Sequence, residues 1–123
     1  MDTEKVLIEQ AWNNRSMLSD EKVKNAIRQV VDSLDKGELR IAEPSGSDWI
    51  VNDWIKKAVI LFFPIQKMQT IEVGPFEFHD KIPLKKGYAE KGVRVVPHGV
   101  ARYGSYLAPD VVMMPSYVNI GAR

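Results

Sequence analysis

The sequence has 123 residues, 45% hydrophobic and 27% charged, with 17 basic and 16 acidic side chains and a formal net charge of +1. That profile fits one soluble globular unit with a modest core, and without a block of Lys and Arg it offers no surface for nucleic-acid phosphates. There are no cysteines, which excludes disulfides, thiolate zinc sites and a cysteine nucleophile together; His79 and His98 have no second ligand at metal spacing, and no metal is expected.

The opening Met1-Asp2-Thr3-Glu4 is acidic and lacks an apolar h-region, so it does not read as a signal peptide. No apolar run approaches the roughly 20 residues needed to span a bilayer, and the expected compartment is the cytoplasm. Val6, Leu7, Ala11 and Trp12 recur at helical spacing after Asp2 and Thr3, either of which can cap a short amphipathic helix ending near Asn13-Asn14. The next segment is more sharply periodic. Val23, Ala26, Ile27, Val30, Val31 and Leu34 repeat at three and four, with Ser19 as the expected N-cap, Asp20 and Glu21 in the first turn, and Gly37 as the stop.

Leu39 and Ile41 alternate with Glu38, Arg40 and Ala42 from Glu38 to Glu43, and Pro44-Ser45-Gly46-Ser47 supplies a turn before Trp49-Ile50-Val51, which predicts a two-stranded hairpin. Asn52 and Asp53 can cap a third helix from Trp54 to about Phe63, closed by Pro64. It is apolar around most of its circumference, so it is expected to be buried on most sides, with Trp54, Phe62 and Phe63 as core residues. The lysine pairs Lys56-Lys57 and Lys85-Lys86 read as solvated charges without a role. From Ile65 to Gly92 helical periodicity is lost, and Gly74-Pro75, Pro83 and Gly87 predict irregular structure with extended pieces around Phe76 to Ile82. His79 beside Asp80 has the composition of an oriented base. Neighbouring side chains on an extended strand point to opposite faces, however, so His79 is read as structural or exposed.

After Val93 the period becomes six. Ala101, Leu107, Met113 and Asn119 form one column; Val100, Tyr106, Val112 and Val118 a second; Gly99, Ser105, Val111 and Tyr117 a third. Such columns suit a hexapeptide β-helix, in which three hexads make one coil, although four hexads with one imperfect column (Ala101 small, Asn119 polar) could also arise in an antiparallel hairpin. Several longer passages then bear on the family. Leu34 to Glu43, Trp49 to Val59, Phe78-His79-Asp80-Lys81-Ile82-Pro83, Gly92-Val93-Arg94-Val95-Val96-Pro97 and Met114 to Ala122 together resemble, in order and with few gaps, the tetrahydrodipicolinate N-succinyltransferases.

The resemblance implies an α+β fold: residues 1–92 as a small N-terminal domain of helices with a β-hairpin, and 93–123 as the first turn of a left-handed parallel β-helix of hexapeptide repeats, incomplete at Arg123. It implies a homotrimer that transfers succinyl from succinyl-CoA, a co-substrate held between neighbouring β-helices, to the amine of a dicarboxylate in lysine and diaminopimelate synthesis. No permanently bound cofactor is implied. An Asp and a Glu associated with catalysis in the family are expected beyond Arg123, so no catalytic residue is assigned and the chain alone is expected to be inactive. Arg94 falls on a substrate-binding arginine of the family, and a forked guanidinium suits a carboxylate; by itself it would read as a surface charge. Val93 replaces a family Phe, and His98 replaces a residue usually apolar or Pro. Two alternatives stay open: an assembly or binding module without catalysis, and an acetyl rather than a succinyl donor.

Overall fold

Helical periodicity at the N-terminus becomes three packed helices in the computed structural model, which describes residues 1–123. They are α1 (Asp2–Asn13), α2 (Glu21–Asp35) and α3 (Asp53–Ile65), with a 3₁₀ turn at Arg15–Ser19 between the first two. All six periodic residues of α2 are buried, and full burial of a Val, Leu or Ile side chain contributes about 1.5–3 kcal/mol. Five of them, all but Ala26, meet Ile8 and Ala11 of α1 and Ile55, Ala58, Leu61 and Phe62 of α3 in one cluster. Trp54 and Phe63 pack against that cluster, partly buried.

The caps differ from expectation. Asp2 lies inside α1, whose N-cap is Met1. Ser19 closes the 3₁₀ turn, and the cap of α2 is Asp20, whose carboxylate accepts from the Lys22 N–H at 2.9 Å. The amide of Asn52 turns away from α3 and donates to the Arg40 carbonyl at 2.8 Å. Pro64 sits within the last turn of α3.

The first hairpin pairs β1 (Ala42–Ser45) with β2 (Asp48–Val51). Its first strand begins later than the alternation suggested, because Leu39 and Ile41 pack against the helical core instead. A second antiparallel hairpin pairs β3 (Gln69–Val73) with β4 (Phe76–Asp80); β4 falls in the extended piece expected around Phe76 to Ile82, while β3 lies where irregular structure was expected. Its register sets Ile71, Val73, Phe76 and Phe78 on one face and Thr70, Glu72, Glu77 and His79 on the other. A one-turn helix, α4 (Tyr88–Lys91), then leads to four two-residue strands: β5 (Arg94–Val95), β6 (Val100–Ala101), β7 (Val112–Met113) and β8 (Tyr117–Val118).

These strands pair in parallel, β5 with β7 and β6 with β8, rather than as an antiparallel hairpin. Arg94 lies beside Val112 and Val95 beside Met113, an offset of eighteen residues. In the second pair the offset is seventeen, with Val100 beside Tyr117 and Ala101 beside Val118. The strict six-residue columns therefore slip by one at their end, and Asn119 does not lie beside Ala101. The Asn119 carboxamide accepts from the Ile120 N–H and from Arg102, while Ile120 takes a core position.

A polar clasp fastens this segment to α2. Lys85 Nζ donates to the Asp35 carboxylate at 2.6 Å and to the Asp35 carbonyl at 3.0 Å, and the Gly104 N–H reaches the same carboxylate at 2.9 Å. The Lys85 side chain is 1% exposed, which corrects the reading of Lys85 as solvated. Lys57 also has partners, Glu9 at 2.9 Å and Asp53 at 3.4 Å. One turn back, Tyr103 donates to Asp32 at 3.0 Å, and Lys36 pairs with the other oxygen of that carboxylate at 2.6 Å. The Lys36 hydrogen bond is the main reason the Asp32 pKa lies below the ordinary carboxylate value.

Burial, then the Asp32 hydrogen bond, raises the Tyr103 pKa. A group raised on folding contributes stability that is intact below its unfolded value, about 10 for a tyrosine, and is lost as pH rises beyond it. Tyr103→Phe is expected to flatten the fall in thermal midpoint above about pH 10, leaving the slope due to Tyr88, which burial also raises. Equal alkaline slopes in the two proteins would rule this out.

Candidate functional site

Arg94 stands on β5 between buried Val93 and half-buried Val95, with its own side chain exposed. Alternation along the strand accounts for this placement: the two valines turn toward the interior and the guanidinium outward. The backbone is fixed from both sides. The Arg94 N–H donates to the Val111 carbonyl at 3.0 Å, and the Val96 N–H to the Met113 carbonyl at 2.9 Å. No carboxylate of the chain forms an ion pair with Arg94. Its donors are therefore available to an external anion, as bidentate recognition requires.

The other sequence candidates lie elsewhere. His79 is exposed, its Nδ1 3.1 Å from the Thr70 hydroxyl across the hairpin. Its sequence neighbour Asp80 pairs with Arg102 at 3.0 Å, so the two do not act as an oriented base. His98 is exposed, its ring 6.4 Å from that of Phe76. No three His, Asp or Glu side chains converge as a metal site would need.

Arg102 was missed in the sequence. It bonds Asp80 and Asn119 and lies over the rings of Phe63 and Tyr117, joining hairpin, helix and parallel strands. Its only local signal is a charge beside the small residue of a hexad column. A concavity of about 730 Å³ lies away from Arg94, lined by Tyr106, Leu107, Val111, Tyr117, Val118 and Arg123 among others.

Comparison with known proteins places this arrangement. Residues 4–65 match the family described as tetrahydrodipicolinate N-succinyltransferase N-terminal. The chain belongs to this family. Proteins named 2,3,4,5-tetrahydropyridine-2,6-dicarboxylate N-succinyltransferase are similar over nearly all of it. The one from Legionella pneumophila (strain Corby) is 46% identical over 132 residues, covering 99% of this chain and 48% of the relative. That of Cupriavidus necator is 49% identical over 127 residues, covering 94% and 46%, and that of Bordetella pertussis 49% identical over 124 residues, covering 93% and 45%. The chain thus spans about half the length of the curated N-succinyltransferases it matches. In this family member, no helix is long and apolar enough to cross a membrane.

Proposed function

We propose that these residues form the N-terminal part of an N-succinyltransferase that moves a succinyl group from succinyl-CoA to the amine derived from tetrahydrodipicolinate. The observation that carries the reading is identity of 46–49% over almost the whole chain with proteins of that name. In the reaction a neutral amine attacks the thioester carbonyl, an N–C bond forms, a base takes the amine proton, the C–S bond breaks, and the departing CoA thiolate receives that proton to leave as the thiol. We assign Arg94 to one carboxylate of the dicarboxylate and no catalytic residue within 1–123, and expect these residues alone to be inactive. The name of the relatives favours a succinyl over an acetyl donor.

The same reading divides the chain into a helical and hairpin domain, 1–92, and the start of a left-handed parallel β-helix, 93–123. The eighteen-residue offset of β5 and β7 supports it, since three hexads make one coil. A homotrimer in the cytoplasm, working in lysine and diaminopimelate synthesis, completes it.

The test uses the complete protein that carries these residues. Arg94→Ala removes a charge-assisted hydrogen bond contributing about 1.5–3 kcal/mol, and should raise the KM for the dicarboxylate about ten- to a hundredfold. The KM for succinyl-CoA and assembly should hardly change, and Arg94→Lys should recover only part of the loss. Normal dicarboxylate binding with a lowered thermal midpoint would make Arg94 structural. No CoA release from the wild-type protein with both substrates present would favour the non-catalytic module.

A further inference from the structure

The parallel pairing of β5 with β7 sets Val112 directly beside Arg94, on the same face of the two strands. Val112 is 52% exposed and Met114, two positions on, 61% exposed, whereas Met113 between them is buried. The guanidinium thus has exposed hydrocarbon beside it at Val112, continued by Met114. The arrangement complements a small molecule with a carboxylate at one end and an apolar body. It is the wrong surface for a simple inorganic anion, which would prefer further hydrogen-bond donors around the arginine.

We propose that Val112 is a specificity-determining residue of the dicarboxylate site, its isopropyl group forming the wall against which the hydrocarbon part of the substrate rests while Arg94 holds a carboxylate. This rests on the assignment of Arg94 made above. Val112 acts in two ways. It contacts the methylene groups directly, and it keeps water from one side of the guanidinium, which strengthens the pairing with the carboxylate. A carboxylate introduced at this position would instead reach Arg94 itself and occupy the fork intended for substrate. Met114 extends the wall, but it lies past the end of β7 and is the less fixed of the two.

Three variants of the complete protein test this: Arg94→Ala, Val112→Thr, which keeps the shape but replaces one methyl with a hydroxyl, and Val112→Asp. Initial rates are measured against tetrahydropyridine dicarboxylate and, separately, against succinyl-CoA. Val112→Thr is expected to raise the dicarboxylate KM about tenfold, the low end of the range for a lost apolar contact. Val112→Asp should raise it at least as far as Arg94→Ala does, and combining Val112→Asp with Arg94→Ala should add little, because both substitutions remove the same pairing. The succinyl-CoA KM and thermal midpoint should stay close to wild type. If both Val112 variants keep the dicarboxylate KM within about twofold while Arg94→Ala raises it, Val112 is no part of the site and the Arg94 reading stands. If Arg94→Ala leaves that KM unchanged, the Arg94 reading fails and takes the role of Val112 with it. If the Val112 variants raise both KM values and lower the thermal midpoint together, Val112 is structural and the proposal is overturned.

Discussion

Asp35→Ala is expected to destabilise the fold by about 3–5 kcal/mol, the range found when one partner of a buried ion pair is removed. The reason is what remains. Lys85 stays enclosed, its side chain 1% exposed, with the Asp35 main-chain carbonyl at 3.0 Å as its surviving acceptor. The Gly104 N–H also loses its acceptor at 2.9 Å. Since a domain of this size has roughly 5–15 kcal/mol in total, the loss should be visible as a large drop in the urea midpoint at unchanged m-value. Asp35→Asn retains an acceptor and should fall between the two. The companion Asp35→Leu/Lys85→Met separates burial from pairing. Apolar replacement of a whole buried pair is often neutral, so the double variant should recover most of the stability. A single Asp35→Ala variant within about 1 kcal/mol of wild type, on the order of a surface pair, would show that water reaches Lys85.

The second large effect is expected at Gly104, the neighbour of Tyr103 in the clasp. Its φ is +89°, and a Cβ there would lie 2.7 Å from Ile120 Cγ1 and 3.1 Å from Val31 Cγ1. Both side chains are buried, and neither can retreat without moving α2 or the chain after β8. Gly104→Ala combines backbone strain of about 1–2 kcal/mol with overpacking of about 1–3 kcal/mol. Gly46, in the first hairpin turn, is the natural control: its φ is +60° with nothing within 4 Å of a built Cβ. Gly46→Ala therefore reports strain without crowding. A thermal melt in which Gly104→Ala costs no more than Gly46→Ala would mean that the core around Ile120 yields freely.

The helices were legible because their apolar residues repeat at three and four and their faces are buried as the pattern requires. The caps slipped by a residue because Ser19 and Asp20 are both competent, and only the preceding 3₁₀ turn decides between them. The β3–β4 hairpin is half legible: the extended piece around Phe76 marks β4, and Ile71, Val73, Phe76 and Phe78 alternate around Gly74-Pro75, a pairing signal that the loss of helical period obscures. Lys85 could not be read locally, since its partner lies fifty residues away and a lysine is ordinarily exposed. Arg94 is similar. An exposed arginine on a short strand carries no local mark of a ligand, and only its setting in a family passage drew attention to it. The hexad columns gave the interior residues Ala101 and Met113 but not the one-residue slip, which depends on how Asn119 and Ile120 share a corner.

The clasp also bears on the order of events in folding. Its bonds join α2 to residues 50 to 71 positions further along the chain, whereas the three helices meet through shorter loops. Long loops close at greater entropic cost and generally later. Interactions absent at the rate-limiting step change the unfolding rate when they are lost. The stability missing from Asp35→Ala should accordingly appear as faster escape from the native state, with refolding nearly unaltered, a partition that stopped-flow measurements on the same variant read directly. In that sense the Lys85–Asp35 pair governs how long the fold persists once formed more than how quickly it is reached.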